Sequence, residues 1–292
     1  MITQNSAKAW ALASRPKTLS AAWIPVFVAS ALAYSLGSFK LFPAILCLVF
    51  AALMQVAANF INDLFDFERG TDREDRLGPE RACAQGWISP RAMRVGIGIT
   101  VTAACLVGCS LLFYGGLWLI CIGLSCVLFA FLYTTLLSYC GFGDILVLLF
   151  FGFVPVMGTY YVQTGILFTS SVFWGSLACG LVIDTLLVLN NYRDRDTDRA
   201  SGKRTLIVIG GERFGRYLYL GLGVGACLCC LAVTKSSHPE AMLLPLCYLI
   251  PHTITWYRMI RIGSGKALNK ILGETSRNML LLTLLLVLGI LL

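Results

Sequence analysis

Charged side chains are scarce. Asp, Glu, Lys and Arg make up 13% of the 292 residues, about half of the roughly 25% usual in soluble globular domains. With 58% hydrophobic residues and a mean hydropathy of +0.78, too few polar groups remain to clothe a water-soluble globule. Disordered and fibrous classes fall by the same arithmetic. Histidine is nearly missing: only His238, in a loop, and His252, near the middle of an apolar run, occur, which argues against an imidazole-built metal centre or a histidine general base. The 12 cysteines sit mainly inside apolar runs, and no two C-x-x-C motifs stand at metal-site spacing. The first residues lack a cleavable-signal pattern, so the first apolar run is expected to be retained. No polar stretch is long enough for a separate soluble domain, which leaves a single intramembrane domain over 1–292.

What is present is apolar sequence in bilayer-sized lengths. A helix crossing a ~30 Å hydrocarbon core needs about 20 apolar residues. Such runs recur at 18–36, 41–62, 93–114, 116–135, 143–162, 172–192, 215–234, 241–260 and 274–292. Their continuous hydrophobicity, without strand-like alternation, predicts an all-α polytopic membrane protein with nine transmembrane helices rather than a barrel. All Lys and Arg except Lys40 and Lys235 flank the same alternate connections. The positive-inside rule then places the N-terminus in the cytoplasm and the C-terminus outside. Topology accounts for the net charge of +8, and no nucleic-acid partner is expected.

The acids are segregated as well. Of the 15, only Asp144, Asp184, Glu240 and Glu274 lie outside two clusters that follow the second and sixth runs. The first cluster reads Asn62-Asp63-x-x-Asp66, then Gly70-x-Asp72. Gln55, Asn59, Asn62 and Asp66 fall on one helical stripe, with Asp63 at its edge. The second reads Asn190-Asn191-x-Arg193-Asp194-x-x-x-Asp198-x-x-x-Gly202-Lys203-x-Thr205. Here Asn190, Asp194 and Asp198 share a face, repeating the spacing of Asn62 and Asp66. A polar stripe on an apolar helix must face a cavity or a partner, because lipid cannot satisfy it.

Carboxylate and amide oxygens are hard ligands suited to Mg²⁺, which commonly bridges to substrate phosphates. Arg69, Arg73, Arg193, Lys203 and Arg204, interleaved with the acids, suit the remaining phosphate oxygens. Acids alone would suit a metal. Acids and bases together suit a metal plus a polyanion.

These two motifs resemble those of the UbiA superfamily of intramembrane aromatic prenyltransferases, and the second resembles its naphthoate-prenylating branch in menaquinone biosynthesis. Arg15-Pro16-Lys17-Thr18-Leu19, Gly78-Pro79 through Gly86, Phe150-Phe151-Gly152 and Gly158 through Gly165 agree with that branch. Many members carry an acid where this chain has Gly70; the naphthoate branch shares the departure, which leaves Asp63 and Asp72 as alternative extra ligands. The resemblance implies helices around a central cavity in a bacterial inner membrane. It also implies Mg²⁺-dependent transfer of a polyprenyl group from its diphosphate to a small aromatic acid, 1,4-dihydroxy-2-naphthoate, with loss of CO₂.

By that resemblance the metal–diphosphate ligands are Asn62, Asp63, Asp66, Asp72, Asn190, Asp194 and Asp198, with Asp66 and Asp194 the central carboxylates. Substrate contacts are expected from Asn59, Asn62, Asn190, Asn191, Arg193, Lys203 and Arg69. Tyr133 is expected near the allylic carbon, where its ring would stabilise a cation; an interfacial tyrosine is the alternative. Lys17 is a candidate for the acceptor's carboxylate or a positive-inside anchor. Asp184 lies inside the sixth run, off the Asn190–Asp194 stripe, and reads as a structural polar residue. A cation transporter would place its acids near the midplane, whereas these crowd at one face. The Asp-Gly-x-x-Ala-Arg opening of CDP-alcohol phosphotransferases is absent.

Overall fold

The computed structural model describes residues 2–70, 76–233 and 239–292, and all their regular structure is helical. In chain order the helices are α1 (Ala7–Ala13), α2 (Leu19–Ser35), α3 (Leu41–Glu68), α4 (Pro90–Gly115), α5 (Leu119–Thr135), α6 (Gly143–Val147), α7 (Val154–Thr164), α8 (Ser170–Ala200), α9 (Leu206–Leu231), α10 (Leu249–Ile262) and α11 (Leu268–Leu291). Ser6, Ser89, Thr169 and Thr205 cap α1, α4, α8 and α9 by accepting a backbone N–H in the first turn, which satisfies one otherwise orphaned donor each.

Among the described residues, 6 helices are long and apolar enough to cross a membrane: α3, α4, α6–α7 taken together, α8, α9 and α11. Two further expected spans, α2 and α5, are apolar helices of 17 residues. The run at 241–260 departs most from expectation. It divides into a tight 3₁₀ segment, Pro239–Tyr248, and then α10. Pro245 lies inside the first part, and proline cannot donate the backbone bond a continuous α-helix needs there.

Helix α8 is the central element. In its most apolar stretch 67% of residues are buried, against 22% in α3 and in α4. It packs on α9, α11, α2 and α7 and carries Ala178, Cys179, Val182 and Ile183 into the largest core cluster. The peripheral helices turn large apolar side chains outward, as with Phe113, 91% exposed, and Leu106, 66% exposed. Water would penalise that surface, whereas lipid does not.

Between α6 and α7 the chain makes a π turn, Leu148–Phe153. Gly152 lets it approach α8 closely: a Cβ there would stand 2.6 Å from the Ser176 carbonyl and 3.1 Å from the Gly180 Cα. This crossing sets Phe150 and Phe151 at a cavity wall. Helix α9 is interrupted at Gly211, whose φ of +82° only glycine adopts cheaply.

Candidate active site

The C-terminal end of α3 carries the first motif and that of α8 the second, and the two ends line one chamber. Asn62 and Asp66 face Asn190, Asn191, Asp194 and Asp198 across a volume of about 880 Å³. Arg15, Arg76, Arg81, Arg193, Lys203 and Arg277 stand on its walls. A second chamber of about 540 Å³ adjoins it, lined largely by apolar side chains of α2 to α8. Thr18, Asn62, Tyr133, Leu186, Leu187 and Asn190 line both. A polar, doubly charged compartment thus sits directly against a greasy one.

The three motif carboxylates of the chamber, Asp66, Asp194 and Asp198, are each matched by a cation. Arg81 reaches Asp66 at 2.7 Å. Arg193, only 3% exposed, grips the adjacent Asp194 twice, from Nε at 2.7 Å and Nη2 at 2.6 Å. Lys203 stands 3.6 Å from Asp198. Arg193 also donates to Asn269 Oδ1, and Asn269 donates to the Leu77 carbonyl, tying the start of α11 and the first acidic loop to the second motif. Asn190 donates its amide N–H to the Leu186 carbonyl one turn back, so its oxygen is the end not committed to the helix. The Asn62 oxygen accepts from the Thr134 hydroxyl. Burial, then the Arg81 charge, holds the Arg15 guanidinium below its ordinary value; this wall is crowded with positive charge and would be relieved by an anion.

Three residues expected at the site face elsewhere. Asp63, 1% exposed, accepts the backbone N–H groups of Ala82 and Cys83 at 2.9 and 2.8 Å; its carboxylate folds the acidic loop back and is not among the chamber's lining. Asn59 donates to the Ser14 carbonyl and the Thr18 hydroxyl at 2.9 and 3.0 Å, so it fixes the segment before α2. Arg69 donates to the Thr134 and Thr135 carbonyls and lies 4.9 Å over the Tyr139 ring, clasping the end of α5. Asp72 and the side chain of Lys17 lie outside the described residues.

Thr134 and Asp144 were not anticipated as site residues from the sequence; Arg15, Arg81 and Asn269 stood in stretches that resemble the family, without a role assigned to them. Asp144 carried a legible signal: it opens an apolar run after a connection without any Lys or Arg.

The donor chemistry fits Mg²⁺. The side chains meeting in the chamber offer hard oxygens, carboxylate and amide, with cations beside them for phosphate. Among the described residues no three carboxylate, imidazole or thiol groups stand together as a closed metal cage.

Comparison with known proteins points the same way. The model of the UbiA prenyltransferase family matches residues 22–290. The chain is 38% identical to the 1,4-dihydroxy-2-naphthoate octaprenyltransferase of Escherichia coli over 76% of this chain and 75% of that one. It is 34% identical to the Haemophilus influenzae protein of the same name, over 97% and 96%. A solved UbiA homologue from Archaeoglobus fulgidus, bound to GPP and Mg²⁺, superposes with a TM-score of 0.63 at 15% identity, covering 97% of this chain and 100% of the other; at that identity the likeness speaks for the fold. Motif, chamber and family model coincide on the same helices, and the chain belongs to the UbiA prenyltransferase family, as an integral membrane enzyme that transfers prenyl groups.

Proposed function

We propose that this enzyme transfers a polyprenyl group from its diphosphate to 1,4-dihydroxy-2-naphthoate, with Mg²⁺ and with release of CO₂, giving demethylmenaquinol. The observation that carries the reading is the convergence of Asn62, Asp66, Asn190, Asp194 and Asp198 on one chamber that shares a wall with an apolar one. The choice of acceptor is supported by the names of the relatives that match along most of the chain.

Cleavage of the allylic C–O bond leaves negative charge on diphosphate and positive charge on carbon. Asn62, Asp66, Asn190, Asp194 and Asp198 are the residues suited to hold Mg²⁺, which when bound supplies Lewis acidity toward the diphosphate. Arg193, Lys203, Arg81 and Arg15 are placed to take phosphate oxygens, and their charges favour the leaving group as it separates. Tyr133, at the wall common to both chambers, presents a ring where the allylic cation would form. The apolar chamber keeps water from that cation until the aromatic ring meets it. Asp63, Asn59 and Arg69 act at one remove, by holding the loop, the segment before α2 and the end of α5 around the site.

The same reading includes a single nine-span domain in a bacterial cytoplasmic membrane, with the N-terminus and the charged chamber on the cytoplasmic side. Membranes containing the protein, incubated with Mg²⁺, a labelled polyprenyl diphosphate and a panel of aromatic acids, provide the test. The expected product is prenylated naphthoquinol lacking the carboxylate. A product from 4-hydroxybenzoate, homogentisate or 1,4-dihydroxy-6-naphthoate alone reassigns the acceptor. Cation flux without any prenylated product overturns the reading.

A further inference from the structure

Two acids buried in the described structure remain outside this account. Asp144, in the first turn of α6, is 7% exposed and lines the charged chamber. Asp184, on α8, is 2% exposed. Each has a buried Oδ1 with no hydrogen-bond partner. The two lie within electrostatic reach of one another and of Tyr133, whose hydroxyl would be 3.9 Å from a Cβ placed on Gly143.

Helix α6 packs against α8, so the two carboxyls sit on neighbouring elements, and like charges in an apolar setting oppose one another. The connection from Leu136 to Phe153 contains no Lys or Arg to neutralise them. Tyr133 of α5 and Asp184 of α8 feel the charge of Asp144, and the π turn Leu148–Phe153 carries no titratable side chain. Asp66, Asp194, Asp198, Arg15, Arg76, Arg81, Arg193, Lys203 and Arg277 line the same chamber. A buried polar oxygen left unpaired is costly, and Asp144, which lines the chamber, carries one that a donor would relieve.

We infer that Asp144 is the proton acceptor for a ring hydroxyl of the aromatic substrate, with Asp184, on the helix packed against α6, as the positioning residue. This rests on the reaction proposed above. As the ring carbon forms its bond to the allylic carbon, the neighbouring hydroxyl becomes a carbonyl and its proton passes to Asp144. When the carboxylate on the attacked carbon departs as CO₂, its bonding pair returns to the ring and the ring oxygen takes the proton back. Acid and base work cancel over one turnover, and no outside reagent is consumed.

The test uses the full-length protein in nanodiscs with Mg²⁺, measuring geranyl diphosphate binding separately from prenylation of the aromatic acid. Asp144→Asn should bind geranyl diphosphate within about twofold of wild type. Its kcat should fall by about 10²–10⁴-fold, the usual worth of a positioned acid–base group, and the acidic limb of its pH–rate profile should disappear. Asp144→Glu should recover part of the rate together with that limb. Asp184→Asn should displace the limb while leaving binding unchanged. An active wild type whose Asp144→Asn variant keeps its rate and profile overturns the inference. So does a variant that loses diphosphate binding and is not rescued by Glu, which would mark Asp144 as structural. A wild type yielding no prenylated aromatic acid fails the underlying reading instead, and the inference falls with it.

Discussion

Gly78 stands where any larger residue would press on Arg193: a Cβ built on its backbone would lie 2.8 Å from Nη2 of that guanidinium. The guanidinium has little freedom to yield, because Asp194 holds two of its nitrogens and Asn269 the third. Gly78→Ala should therefore displace the charged fork rather than unfold the protein. The expected result is a KM for prenyl diphosphate raised about tenfold, which is about 1.4 kcal/mol of binding, with a thermal midpoint close to wild type. Steady-state kinetics and a melting curve in detergent check both halves.

Asp66→Asn and Asp194→Asn keep shape and remove charge. Each should lower kcat by at least about 100-fold, in the range seen when a group stabilising transition-state charge is lost, while the protein still inserts and purifies. EDTA should silence the wild type, and added Mg²⁺ should restore it. Full activity in either variant, or in chelator, would remove these carboxylates from the metal site.

Asn269 joins three parts of the chain, since it accepts from Arg193 and donates to the Leu77 carbonyl at 2.7 Å. Asn269→Ala leaves both partners short of a bond, at a cost of about 1–3 kcal/mol. A lowered unfolding midpoint together with weaker diphosphate binding is expected. Asn269→Asp, which keeps the acceptor for Arg193 but loses the donor to Leu77, should lie between the two.

Gly152→Leu tests the close crossing of the π turn over α8. The added side chain meets backbone, not a flexible tip, at 2.6 Å, and overpacking of this kind typically costs about 1–3 kcal/mol. Thermal unfolding measures the loss, and prenylation should fall with it because Phe150 and Phe151 line the apolar chamber.

Periodicity made the helices legible, because helix 3.6-residue spacing and apolar length follow from local sequence. The pairing of Asn62 and Asp66 with Asn190 and Asp194 was legible for the same reason. Which way the flanking polar residues turn was not. Asp63 is a ligand type at a ligand position, yet its partners are the amides of Ala82 and Cys83, and no helical spacing encodes how a loop folds back. Asn59 shares the stripe of Asn62 but meets the Ser14 carbonyl, a contact made by tertiary packing. The division of the run at 241–260 had a local cause in Pro245, which hydropathy averaging smooths away.

The chamber adjoining the charged compartment has about 540 Å³ of space, a size suited to a drug-like molecule. A chain of many isoprene units exceeds that, so its distal end has to thread outward between helices whose outer faces are already oil-compatible. The enzyme therefore never has to lift a whole hydrocarbon out of the bilayer. It needs to hold only the reacting head, and in the proposed reaction the prenylated product can slide away sideways along the path its tail already occupies.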